Sequence, residues 1–237
     1  GTVGPSRGGM CVTVSINDAR NELTFSPRTY DVIASEPSNP WMTVASNLFT
    51  EEFFRLAKTR LRPGGIFCGW IQTYALATDD LRAVVAAFHA SFPNTMLFET
   101  FEGTDLLLLG SDAPLTLPLD RMAKRMSELK VWVDLGRVGA HRPADILPLF
   151  RLGTAEIGRL IAGAERNTDD NARVEFSAPK AMYQDTSEAT LAAIERYAAS
   201  PLDYVAPAPA DARERDRLRV EWVRALLLRR EERRAKA

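Results

Sequence analysis

The sequence predicts an α/β protein. It would carry the C-terminal, closing portion of a doubly wound, mainly parallel sheet, with helices appended after it. Two observations predict this. Up to Leu109, short apolar or β-branched runs alternate with segments whose apolar residues recur at helical spacing. Proline and glycine clusters stand between those segments, where a chain reverses from one layer to the next.

Cys11-Val12-Thr13-Val14-Ser15-Ile16 alternates and is β-branched, so it reads as a first strand, ended by Asn17-Asp18-Ala19-Arg20. Tyr30 to Ser35 reads as a second strand, of the kind buried in parallel sheets. Pro37 and Pro40 make the next stretch, Glu36 to Trp41, a loop. Thr50 is suited to cap a helix, with Glu51 and Glu52 favourable at its positive end and Phe53, Phe54, Ala57 and Leu61 as its inner face. Pro63-Gly64-Gly65 is expected to stop it, and Ile66 to Gln72 to form a strand. Thr78 is expected to cap a helix carrying Leu81, Val84, Val85, Phe88 and Phe92 on one side. Met96 to Thr100 and Leu106 to Leu109 read as antiparallel neighbours across a Glu102-Gly103 turn.

Residues 115–183 read as helices joined by Pro/Gly turns, with an edge strand or extended segment at Val174-Glu175-Phe176. The remaining divisions are a helix over 184–200, a stiff Pro/Ala linker over 201–210 and a charged helix over 211–237. Leu218, Trp222, Leu226 and Arg229 form one stripe of that helix, which reads as a docking or dimerising element. Gly1 to Gly9 is glycine-rich but no strand precedes it and no helix follows, so residues 1–10 read as a leader or truncation scar and not as a phosphate loop.

Composition narrows the function classes. A net charge of -1 provides no field toward nucleic acid or anionic lipid. No apolar run approaches the roughly 20 residues of a membrane helix. Cys11 and Cys68 sit in apolar runs and read as buried free thiols of a reducing compartment. His89 and His141 are far apart without a carboxylate pattern, so no metal site is expected. The chain is expected to be cytoplasmic, or tethered to the inner membrane within a longer parent.

In an open α/β sheet, ligands bind where strands end at their carboxyl side. The loops starting at Asp18, Glu36 and Gln72 leave such ends. The combination of Asp18-Ala19, Tyr30-Asp31-Val32-Ile33, the acidic loop at Glu36 with Pro40, Leu48 to Phe54, and Pro63 to Cys68 resembles the spermidine synthase (polyamine aminopropyltransferase) family. Ser35 to Trp41 and Asn167-Thr168-Asp169-Asp170 resemble the branch often fused to membrane transporter-like segments. The likeness covers residues 11–183, with the family's N-terminal cofactor-binding half missing.

The resemblance implies a methyltransferase-like Rossmann sheet. It also implies transfer of an aminopropyl group from decarboxylated S-adenosylmethionine to an amine. No cofactor is expected to be tightly bound; the nucleotide is a co-substrate. Asp18 and Ala19 correspond to the pair that meets its adenine, and Glu36 to the acid that takes the amine's proton and, with its loop, also contacts the nucleotide. Asn39 and Gln72 fall in the amine-binding region; Trp41 and Tyr74, as aromatics beside these loops, either wall a substrate channel or act as core lids. The chain departs from the family pattern in three places: Glu36 is one methylene longer than the usual aspartate, Asn39 replaces a second aspartate, and Gln72 stands where many members have glutamate. The pocket is therefore expected to keep one carboxylate, and the acceptor to be a less charged amine or another group. Asp169 and Asp170 either cap the following segment or face the same cleft.

Three readings stay open: a transferase of this family, impaired by truncation; a non-catalytic interaction module; and a class I S-adenosylmethionine-dependent methyltransferase. The isolated chain is expected to bind decarboxylated S-adenosylmethionine weakly. The expected partners are a small-molecule amine and a second copy, through the C-terminal helix or a sheet edge at Val12 to Ile16, with no nucleic acid.

Overall fold

The computed structural model describes residues 14–42, 45–100 and 104–236; side chains at 229, 230 and 232–236 are outside the description. The Glu102-Gly103 turn and the Cys11 end of the first expected strand fall outside it.

Among the described residues the centre is a five-stranded sheet in the order β1-β2-β4-β3-β5. Its strands are β1 (Tyr30–Ser35), β2 (Leu61–Gln72), β3 (Asn94–Glu99), β4 (Asp105–Ser111) and β5 (Phe150–Leu152). β1 runs parallel to β2, with Ser35 opposite Gly69. The β2–β4, β3–β4 and β3–β5 pairings are antiparallel. The α/β class and the closing-half arrangement hold, but the sheet here is mixed rather than mainly parallel. The cause is local: β3 and β4 form a hairpin that places β4 between β2 and β3, so every contact β4 makes is antiparallel.

Val14, Ser15 and Ile16 are exposed and not in a strand, with Ile16 98% exposed. Among the described residues the sheet edge on this side is β1, whose Val32 is 59% exposed; Val12 and Thr13 of the expected edge lie outside the described residues. β1 is half covered rather than buried because, among the described residues, its one strand neighbour is β2.

Helices α1 (Ala19–Phe25), α2 (Glu51–Thr59) and α3 (Thr78–Ser91) precede β3. Thr50 caps α2 as expected, its hydroxyl accepting from the Phe53 amide at 3.3 Å. α2 ends at Arg60, and Leu61 belongs to β2, not to the helix face. Pro63-Gly64-Gly65 lies inside β2, where Gly64 takes φ +72° and a Cβ on Gly65 would come within 3.1 Å of the Asp31 carbonyl. These residues therefore form an irregularity at the start of the strand. Thr78 is the first residue of α3 and not its cap; Ala77 holds that position, and the Thr78 hydroxyl meets that of Thr190 at 3.2 Å.

One face of the sheet packs on α2 and α3. Phe53, Phe54, Phe67, Phe88 and Phe92 interlock there, with ring centroids 4.9 Å apart for Phe88 and Phe92. Such edge and offset contacts add to the burial itself.

After β4 come α4 (Leu119–Met126), α5 (Leu129–Gly136), α6 (Pro143–Ile146), α7 (Thr154–Leu160), α8 (Arg173–Ser177), α9 (Ser187–Glu195) and α10 (Ala212–Lys236). Val174 to Phe176 is helical, and the last edge strand is instead β5. β5 places Arg151 against Glu99 at 2.7 Å, in an ion pair whose side chains are 6% and 1% exposed. The expected linker is docked at its first part: Pro201 and Leu202 are buried in a 3₁₀ turn, and Val205 bridges to Leu117. Leu218 and Trp222 of α10 pack on a second core around Met96, Phe98 and Phe150.

Candidate functional site

Side chains alternate across a strand. On β2, Phe67 and Ile71 enter the core under α2 and α3, which leaves Cys68 and Trp70 on the opposite face. There they line a cleft of about 260 Å³ with Glu36, Thr100, Asp105 and Leu107. Glu36 follows the last residue of β1, so it stands at the carboxyl rim of the sheet. Asp105 opens β4 and pairs with Gln72, the last residue of β2. The cleft therefore holds two carboxylates, one on each side of β2. Where the sequence predicts one carboxylate, this cleft carries a second, contributed by β4. Its position depends on long-range register, which no local pattern in the sequence displays.

Gln72 shares the cleft side of β2 by alternation but is fully buried. Neither its amide oxygen nor its amide nitrogen has a hydrogen-bond partner among the described residues. Cys68 is a half-buried free thiol, not a core one, and burial raises its pKa. Tyr74 is 37% exposed, and burial followed by the charge of Asp105 raises its pKa. Tyr74 is not among the residues that line the Glu36 cleft.

The loop that carries Tyr74 is fastened at both ends. The Thr73 amide donates to the Thr104 carbonyl at 2.8 Å, and the Leu76 amide donates to the Thr186 hydroxyl at 3.0 Å. Ala75 between them takes φ 50°, a left-handed conformation that costs a non-glycine residue energy and that these contacts hold.

The other expected residues have structural partners. Asp18 is the N-cap of α1 and accepts from the Asn21 amide at 2.9 Å; Ala19 is the first residue of that helix. The next residue, Arg20, reaches the Asn47 carbonyl, in the segment that follows the β1 loop, and ion-pairs with Asp169. The first turn of α1 is thereby tied to the same rim, but Asp18 does not share the lining of the Glu36 cleft. Trp41 packs against the main core as a lid, and Asn39 accepts from the Met42 amide through its carbonyl. The Arg20 guanidinium lowers the Asp169 pKa. Asp169 therefore secures α1, and Asp170 is exposed. Asn167 is 1% exposed; it donates to the Phe49 carbonyl at 3.0 Å and accepts from the Val174 amide at 3.1 Å. The Asn167 to Asp170 motif is thus a brace beside the site.

Among the described residues no group of three or more His, Cys, Asp or Glu is placed to hold a metal, and no helix is long and apolar enough to cross a membrane. His89 sits 3.2 Å from the Thr95 hydroxyl, and His141 packs on Trp132.

The fold and its rim cleft define a mixed α/β sheet with two carboxylates at its carboxyl rim. Residues 6–101 match the family model of the spermine/spermidine synthase domain. A spermidine synthase of Dictyostelium discoideum is 29% identical over 83 residues, covering 35% of this chain and 29% of the relative. The structure is similar to a probable spermidine synthase from Corynebacterium glutamicum, with a TM-score of 0.45, 18% identity, and coverage of 69% of this chain and 56% of that one. The chain therefore spans about half, or less, of the length of the proteins it matches.

Proposed function

We propose that this chain supplies the amine-accepting side of an aminopropyltransferase, with Glu36 as the proton acceptor. The observation that carries the reading is the pair of carboxylates, Glu36 and Asp105, in one cleft at the sheet's carboxyl rim. An alkyl amine has a pKa near ~10.4, so freeing its lone pair at neutral pH costs roughly 4 to 5 kcal/mol. A carboxylate at the attacking nitrogen holds the cation and then takes the proton. The nitrogen then bonds to the methylene beside the sulfonium, the carbon–sulfur bond breaks, and its electron pair neutralises the sulfur.

The second carboxylate, Asp105, suits an acceptor with a further ammonium group. Trp70 walls the cleft with an apolar face that fits the methylenes between two such groups. The Gln72 amide, buried without partners, is a neutral donor and acceptor held beneath the same strand end. The decarboxylated S-adenosylmethionine co-substrate belongs to the reading through the family alone. Of the described residues, the first turn of α1 with Asp18 and Ala19 would meet it. The Asp18 carboxylate fits an exocyclic amino group, because its cap bond to Asn21 uses one oxygen and leaves the other.

The test is Glu36→Gln in the full-length protein. Loss of a working base lowers the transfer rate about 100-fold or more at neutral pH. The deficit narrows as the pH approaches the amine's own pKa. An unchanged rate with a diamine acceptor removes Glu36 from the mechanism.

A further inference from the structure

The register of the sheet carries the cleft face of β2 onward across β4 and β3. Cys68 pairs with Leu109 and Trp70 with Leu107, and Leu107 pairs in turn with Phe98. Directly paired residues share a face of the sheet. Leu107, Leu109 and Phe98 therefore continue the floor on which Cys68 and Trp70 stand. Over that continuation lies a second cavity, of about 420 Å³, walled by Leu117, by Met122 of α4 and by Ile146 of α6. Two strands and the segments that cover them thus enclose it, and Leu107, Leu109, Met122 and Ile146 stay half-buried around it. Thr100 and Leu107 line both this cavity and the Glu36 cleft, so the two lie side by side and are joined. Their chemistry differs. Glu36 and Asp105 line the cleft and not the second cavity. Among the described residues no cationic side chain lines the second cavity, and its one carboxylate, that of Glu99, is committed to Arg151 in the buried ion pair.

We infer that the acceptor is an amine with an apolar tail: its ammonium groups rest at Glu36 and Asp105, and its tail passes Leu107 into the second cavity. This rests on the proposed transfer at Glu36 and adds the class of acceptor. The joined compartments select such a molecule from both ends. A charged tail would lose its hydration in the second cavity without gaining a partner there. A molecule without an amine would leave the two carboxylates of the cleft unanswered. The volume lies within the roughly 300–1,000 Å³ of small-molecule pockets, so the cavity has room for an alkyl chain or a ring.

Calorimetric titration of the full chain with a linear α,ω-diamine, and with its N-butyl and N-octyl derivatives, tests this. Each methylene that leaves water lowers the dissociation constant up to about fourfold, so the octyl derivative binds about tenfold or more tightly than the parent diamine. Met122→Trp fills the cavity from its half-buried wall. It removes the gain of the octyl derivative and leaves the parent diamine unchanged, since Met122 does not line the Glu36 cleft. Ile146→Trp, a second filling variant, gives the same result, and circular dichroism checks that each variant folds. Parent binding with no gain from either tail overturns the inference and leaves the proposed function standing. A gain that survives both filling variants also overturns it, because the tail then lies elsewhere. Binding of parent and derivatives that is equal in Glu36→Gln/Asp105→Asn, or absent in the wild type, overturns the proposed function and the inference with it.

Discussion

The two faces of the sheet at β2 are built from alternate residues of one strand, yet they differ in kind. Phe67 and Ile71 are fully buried under α2 and α3. Cys68 and Trp70, their direct neighbours, line a cleft open to solvent together with Glu36 and Asp105. The first face is held by interlocked phenyl rings and supplies rigidity. The second carries the polar side chains on which the proposed function rests, and it is positioned by the first. Stability and function are therefore separable by strand parity, and the difference can be attacked from either side.

The largest effect is expected on the packed face. Phe88 has no exposed surface and contacts three rings of the cluster. Phe88→Ala should cost about 3 to 5 kcal/mol in denaturant unfolding, through lost burial and the cavity left behind. Trp70→Ala, on the half-exposed cleft wall, should cost well under half as much. Equal losses would break the division between the faces.

A smaller effect of opposite sign is expected at Gln72. Gln72→Leu removes two buried polar atoms that have no partner among the described residues and should raise stability by about 1 kcal/mol. The same variant should weaken amine binding. Stabilisation with unchanged binding would assign Gln72 to the scaffold alone.

The smallest effect concerns the brace between α1 and the rim. The Asp169 pKa lies below the ordinary carboxylate value because of Arg20. The ionised form is thus favoured in the folded state. Its stabilisation is present above the unfolded value near ~3.9 and is lost as pH falls through the lower folded value. Asp169→Asn should lower the melting temperature modestly at neutral pH, and the gap to wild type should close under strongly acidic conditions. A gap that persists there would mean the contribution of Asp169 is not its charge.

How much of this was legible in the sequence follows from the range of each signal. The Thr50 cap, the α3 face from Leu81 to Phe92 and the β3–β4 pair rest on local spacing, and all three were readable. The Glu36 loop was readable from the proline pattern after an apolar strand. β5 was not, because three residues carry no periodicity; its place depends on pairing with β3 and on the Arg151–Glu99 ion pair. Asp105 was missed for a related reason. Its entry into the cleft is set by the antiparallel register with Gln72, a contact between residues 33 apart by number. Val174 to Phe176 looked extended, but Asn167 accepts from the Val174 amide and starts a helix there.

The central claim is that Glu36 and Asp105 together make the cleft a cation site for an amine. The most direct test is titration of the full chain with a linear α,ω-diamine, followed by the indole N–H resonance of Trp70, assigned through Trp70→Phe. A saturable shift of that resonance, abolished in the folded Glu36→Gln/Asp105→Asn double variant, is the result expected. A Trp70 resonance that does not move, or that moves equally in the double variant, would contradict it.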